Sequence, residues 1–132
     1  MVNNEVDQLH SGFFGNLSFE SIFLNNTAVR IVAPSAIGPL QDQIRRIEIT
    51  FSRLEAFPFK NLGPLSNLSD LHLENNNLTL ASPIESMSLK ILSLSFNQIR
   101  TLEGWVTPNL RKINLSEYIF QHSTHFFRPA EI

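Results

Sequence analysis

The chain contains no cysteine. That excludes a disulfide framework, thiolate metal sites and a cysteine nucleophile. Charge is also sparse, at 17% of residues against roughly 25% in soluble domains. The 10 Lys and Arg nearly balance the 12 Asp and Glu, for a net charge of −2. Nucleic-acid binders carry a basic stripe, and none is present. No apolar run approaches the roughly 18–20 residues of a membrane span. The first residues show no charged segment followed by an apolar one, so no signal peptide is expected among them.

Against these absences stands an excess of asparagine, with 13 residues in a chain of 132. Leucine and isoleucine recur at fixed intervals beside it. The pattern L-x-x-L-x-L-x-x-N-x-L is the signature of a repeat of about 20–29 residues. Five copies can be laid along the chain. They are Phe19, Ile22, Leu24, Thr27, Val29; Ile44, Ile47, Ile49, Ser52, Leu54; Leu68, Leu71, Leu73, Asn76, Leu78; Leu89, Leu92, Leu94, Asn97, Ile99; and Leu110, Ile113, Leu115, Tyr118, Phe120. The steps between them are 25, 24, 21 and 21 residues. Every apolar slot holds an apolar residue. A partial copy precedes them, with Asn4 and Val6 in the asparagine and last apolar slots and Leu9, Phe13 and Leu17 on a returning arm. Residues 1–120 are therefore expected to form the solenoid, and residues 121–132 a tail or truncated repeat.

Each copy should make one short strand. Alternation places Leu71 and Leu73 inward and Asp70, His72 and Glu74 outward. Stacked copies then form a parallel sheet on one side. The returning arms carry Pro34, Pro39, Pro58, Pro64, Pro83 and Pro108, which disfavour long helices. The expected fold class is an α/β repeat whose arms are mostly irregular or 3₁₀. The asparagine slot has a physical task. A sharp turn after the strand leaves inward backbone groups unpaired, and an amide both donates and accepts there. Thr27 and Ser52 can do part of this with a hydroxyl. Tyr118 cannot, so the ladder is expected to end at the fifth copy.

The phrases Leu71-His72-Leu73-Glu74-Asn75-Asn76 and Leu92-Ser93-Leu94-Ser95-Phe96-Asn97 resemble the leucine-rich repeat family. The stretch from Ile49 to Phe59 is similar to extracellular arthropod repeat proteins. These include relatives of the non-catalytic subunit of oplophorus-luciferin 2-monooxygenase. The resemblance implies a curved solenoid that binds a protein partner on its concave sheet, usually without catalysis. Extracellular members seal both ends with cysteine-bonded caps, and this chain departs from that pattern. Either the chain is a fragment, or Phe13, Phe14, Phe126 and Phe127 cover ends that otherwise invite association.

The outward positions fall into columns. The first runs Ser21, Arg46, Asp70, Ile91, Lys112, and the middle one Phe23, Glu48, His72, Ser93, Asn114. The third runs Asn25, Thr50, Glu74, Ser95, Ser116, and the next Asn26, Phe51, Asn75, Phe96, Glu117. Aromatics beside charges suit protein recognition. The candidate contacts are Arg46, Glu48, Phe51, Asp70, His72, Glu74, Phe96 and Lys112, with Phe23 and Ile91 exposed alongside.

Catalysis is not expected. Ser93, His72 and Asp70 share the face, but Asp70 and His72 are two residues apart on an open sheet and no glycine-rich turn supplies an oxyanion hole. No metal or other cofactor is expected either. Asp70, His72 and Glu74, or His122 with His125, lack sure further ligands. Five Asn-x-Ser/Thr sequons, at Asn16, Asn25, Asn67, Asn77 and Asn114, suggest glycosylation in a secreted or extracellular protein. The repeat pattern itself contributes to that number. Three readings of function stand side by side: an extracellular recognition module, a structural subunit holding a catalytic chain, and a cytoplasmic adaptor.

Overall fold

The structure is a computed structural model that describes residues 7–9, 20–40, 42–81, 83–100 and 104–115. It is a parallel-sheet β-solenoid of about four turns with little helix. The strands are β1 (Gln8–Leu9), β2 (Ser21–Asn25), β3 (Ile31–Val32), β4 (Arg46–Thr50), β5 (Asp70–His72), β6 (Ile91–Ser93) and β7 (Lys112–Asn114). Five of them pair in parallel in the order β2-β4-β5-β6-β7. The register follows the repeat frame. Ile22, Ile47, Leu71, Leu92 and Ile113 stand side by side, as do Phe23, Glu48, His72, Ser93 and Asn114.

The inward residues of these strands stack into one continuous apolar column. Ile22, Leu24, Ile47, Ile49, Leu71, Leu73, Leu92 and Leu94 are all buried. The slots before and after each strand join them, through Ile44, Leu68, Leu89 and Leu110 on one side and Val29, Leu54, Leu78 and Ile99 on the other. Each turn thus covers its neighbour, which is how a solenoid holds together without a central core. Packing thins at β7, where Ile113 and Leu115 are only half-buried.

One residue after the outward column, the chain turns sharply in every described repeat. Asn26, Phe51, Asn75 and Phe96 occupy the same repeat position, and all have left-handed backbone, with φ of 60°, 50°, 59° and 59°. Asparagine tolerates that conformation; other non-glycine residues are strained in it by about 1–2 kcal/mol. The inter-strand hydrogen bonds run on through this point. The Asn26, Phe51 and Asn75 amides donate to the carbonyls of Thr50, Glu74 and Ser95.

The next residue fills the asparagine slot and closes the turn. Asn76 Nδ2 donates to the carbonyls of Ile49 (2.8 Å), Leu73 (3.0 Å) and Glu74 (3.2 Å), one hydrogen being shared. Its Oδ1 accepts from the Ser52 and Leu54 amides, each at 3.2 Å. Asn97 repeats the arrangement toward Leu73, Leu94, Ser95 and Leu78. In the two earlier turns a hydroxyl chain does the work. Ser52 Oγ accepts from the Thr27 amide, donates to the Thr50 carbonyl, and lies 2.9 Å from Thr27 Oγ1. The substitution of hydroxyl for amide is as the spacing suggests. Tyr118, where the ladder is expected to end, lies outside the described residues.

The returning side is built from short pieces. A helix of four residues, α1 (Pro34–Ile37), runs into a 3₁₀ turn at Gly38–Leu40, and a second 3₁₀ turn spans Phe59–Asn61. Pro34 suits a first helical position, and Pro39 has no amide to continue the helix. One feature was not foreseen from the spacing. β1 and β3 pair in parallel on this side, and Ile31 also bridges to Ala56. Gln8 pairs with Ile31, the offset at which the repeat frame sets Asn4 against Thr27. Asn4, Val6, Phe13, Phe14, Leu17, Phe19, Phe120, Phe126 and Phe127 lie outside the described residues. Toward the other end, Trp105 is buried and its indole N–H donates to the Ala81 carbonyl at 2.7 Å.

Candidate functional site: the concave sheet face

The outward residues of the strands meet on one face of the sheet, the candidate concave face, and their centre is an ion-pair network. Arg46 opens β4 and Asp70 opens β5, directly beside it in register. Arg46 Nη1 donates to Asp70 Oδ2 at 2.9 Å, and Arg46 Nη2 donates to Glu48 Oε1 at 2.9 Å. The guanidinium carbon lies 5.6 Å from the centroid of the Phe23 ring, so the cation also rests on an aromatic face. Ser69 Oγ donates to the other Asp70 oxygen at 2.7 Å. These side chains are partly screened from water. Arg46 is thereby held in one orientation by three groups, Asp70, Glu48 and the Phe23 ring.

His72 lies between two carboxylates. Its Nε2 is 3.8 Å from Asp70 Oδ2, and its Nδ1 is 3.4 Å from Glu74 Oε1. Both contacts are longer than a good N–H···O bond. Ser93 stands beside His72 in register, yet His72 Nε2 and Ser93 Oγ each lack a hydrogen-bond partner. The Ser–His contact that nucleophile activation needs is not made. Among the described residues no group of His, Asp and Glu gathers as a metal site. His122 and His125 lie outside them.

The expected face is only partly as the columns suggest. Phe23, Phe51 and Phe96 are exposed at 53%, 61% and 50%. Ile91, expected to be exposed, is half-buried. Thr50, Ser93 and Ser95 sit on the outward side but are buried. Small side chains lie below the larger ones of adjacent strands, so outward does not mean exposed. Thr50 donates to Asn25 Oδ1 at 3.0 Å across the β2–β4 seam. Lys112 shares the first column but stands beyond Ile91, two strands from Asp70, and does not join the network.

Of the sequons, Asn25 and Asn114 lie on the outer strands β2 and β7. Asn67 and Asn77 are exposed outside the strands, and Asn67 Nδ2 donates to the Asp42 carbonyl at 3.0 Å. Asn16 is outside the described residues. A pocket that the outward columns do not include lies on the returning side. It has a volume of about 320 Å³ and is lined by Pro34, Phe57, Pro58, Phe59 and Leu80 among others. The run Phe57-Pro58-Phe59 was its only signal in the sequence.

Comparison with known protein families, with curated proteins and with solved structures finds no match to this chain.

Proposed function

We propose that this chain is a leucine-rich repeat module that recognises a protein partner on its concave sheet and has no catalysis of its own. The observation that carries this reading is the pairing of exposed aromatics with a pre-ordered charge on one face. Phe23, Phe51 and Phe96 stand open beside Arg46, which is already fixed by Glu48, Asp70 and the Phe23 ring. Aromatic and arginine side chains carry most of the energy at protein interfaces. A side chain ordered in advance loses little further freedom on binding.

The sequons support an extracellular setting. A glycan on Asn25 or Asn114, at the outer strands, would block part of the concave face and shift binding to the middle strands or to the convex side. The experiment immobilises the chain and compares partner capture by the wild type, Arg46→Glu and Lys60→Glu. Lys60 lies on the returning side and serves as the control. Arg46→Glu sets three carboxylates together at the centre and is expected to abolish capture, while Lys60→Glu retains it. Equal capture by all three, with circular dichroism unchanged, removes the concave face from consideration.

A further inference from the structure

The charges of the concave face are not evenly compensated. Arg46 is shared between Glu48 and Asp70, each at 2.9 Å. Glu74 has no lysine or arginine paired with it among the described residues, and faces only the His72 ring at 3.4 Å. Several polar atoms around it are unsatisfied. Glu74 Oε1, His72 Nε2, Ser93 Oγ and Ser95 Oγ are out of contact with solvent and without a hydrogen-bond partner. Ser93 and Ser95 are themselves only 5% and 2% exposed. A buried polar atom left unpaired costs about 1–3 kcal/mol, so a donor-rich group that reaches these atoms recovers free energy there.

Two rings frame the same spot. Phe51 and Phe96 occupy the left-handed turns on either side of Asn75, directly after Glu74. The Phe51 amide donates to the Glu74 carbonyl, and the Asn75 amide to the Ser95 carbonyl, so the three turns stack at strand spacing. Two spacings put Phe51 and Phe96 about 9–10 Å apart. That is the spacing of their backbones, and a cation held between two aromatic side chains is attracted by each π-face whose centre lies within roughly 6 Å. Asparagine serves this backbone position at 26 and 75 without strain. Phenylalanine brings strain at both flanking turns and, in exchange, an exposed ring at each.

We infer that the partner's anchor is an arginine side chain, seated between Phe51 and Phe96 with its guanidinium on Glu74. This rests on the concave-face reading and adds the chemistry of the occupant. Arginine fits better than lysine for two reasons. Its planar cation stacks on aromatic rings, and its fork of donors serves a carboxylate and a neighbouring hydroxyl such as Ser95 Oγ together.

The test is an NMR titration of the whole chain with blocked octapeptides of arginine, lysine or glutamate. Octaarginine is expected to shift the amides of Phe51, Glu74, Asn75, Ser95 and Phe96, octalysine to bind more weakly, and octaglutamate to shift none of these amides. Glu74→Gln, and separately the double change Phe51→Asn with Phe96→Asn, are each expected to weaken octaarginine about tenfold. The double variant carries the residue native to neighbouring turns, so it keeps its fold. Octaarginine shifts centred elsewhere on the concave face, no shifts, or equal affinity for octalysine each overturn the arginine seat. The capture experiment with Arg46→Glu is independent of these outcomes, so the seat can fail while the concave face stands.

Discussion

The turns around Asn76 and Asn97 and those around Thr27 and Ser52 close the same corner of the solenoid with different chemistry. Asn76 makes five hydrogen bonds and Asn97 four, each joining its own turn to the one before. The hydroxyl turns make fewer, and Thr27 and Ser52 lean on each other at 2.9 Å. An amide offers two donors and an acceptor at a reach that crosses a whole turn; a hydroxyl has one donor and a short arm. The repeat step differs too, 25 and 24 residues at the hydroxyl end against 21 at the amide end. The lesson is that the corner needs an inward polar group, and that its identity sets how tightly adjacent turns are tied.

Four substitutions at these corners test the comparison. The largest effect is expected from Asn76→Ala, which leaves the Leu54 amide unpaired in the interior and takes from the Ile49 carbonyl its side-chain donor, while Leu73 keeps Asn97. A loss of about 3–5 kcal/mol in urea unfolding is expected. A loss no greater than that of a hydroxyl deletion would erase the distinction between the two kinds of turn. Thr27→Ala is next, at about 1 kcal/mol, since the Ser52 hydroxyl remains to accept the Thr27 amide. The smallest is a gain. Phe51→Asn or Phe96→Asn relieves a strained left-handed residue and should raise stability by about 0.5–1 kcal/mol. A fall in melting temperature instead would mean that these rings pack more than their exposure implies. The same pair of substitutions is expected to weaken arginine binding, so stability and recognition move in opposite directions there.

Much of the fold was legible because a solenoid is nearly one-dimensional. Residues at one repeat position become spatial neighbours, so the register Ile22, Ile47, Leu71, Leu92, Ile113 follows from spacing alone. The candidate site was legible to the level of columns. Arg46, Glu48, Asp70 and His72 are adjacent as the columns place them, and Phe51 and Phe96 are exposed. The β1–β3 pairing was not visible, because the returning arms carry no strict alternation. Nor was the burial of Thr50, Ser93 and Ser95, which depends on what stands on adjacent strands and not on their own position.

The sequence by itself therefore determined the stacking: which residues face inward, which share a column, and where each turn needs an inward polar group. Periodicity suffices for this, since each turn meets only its neighbours. Tertiary structure alone decided how charge is shared across the columns. Arg46 reaches Glu48 and Asp70 and lies on Phe23, while Lys112 in the same column is held apart by Ile91 and, among the described residues, Glu74 has His72 beside it and no lysine or arginine. Those outcomes depend on side-chain length and on contacts between turns 20 or more residues apart, which no local pattern specifies. The absence of cysteine, first a statement about chemistry excluded, reads differently beside them. The described turns are held to each other by backbone ladders, apolar stacking and polar side chains of the turns, with no covalent tie between them.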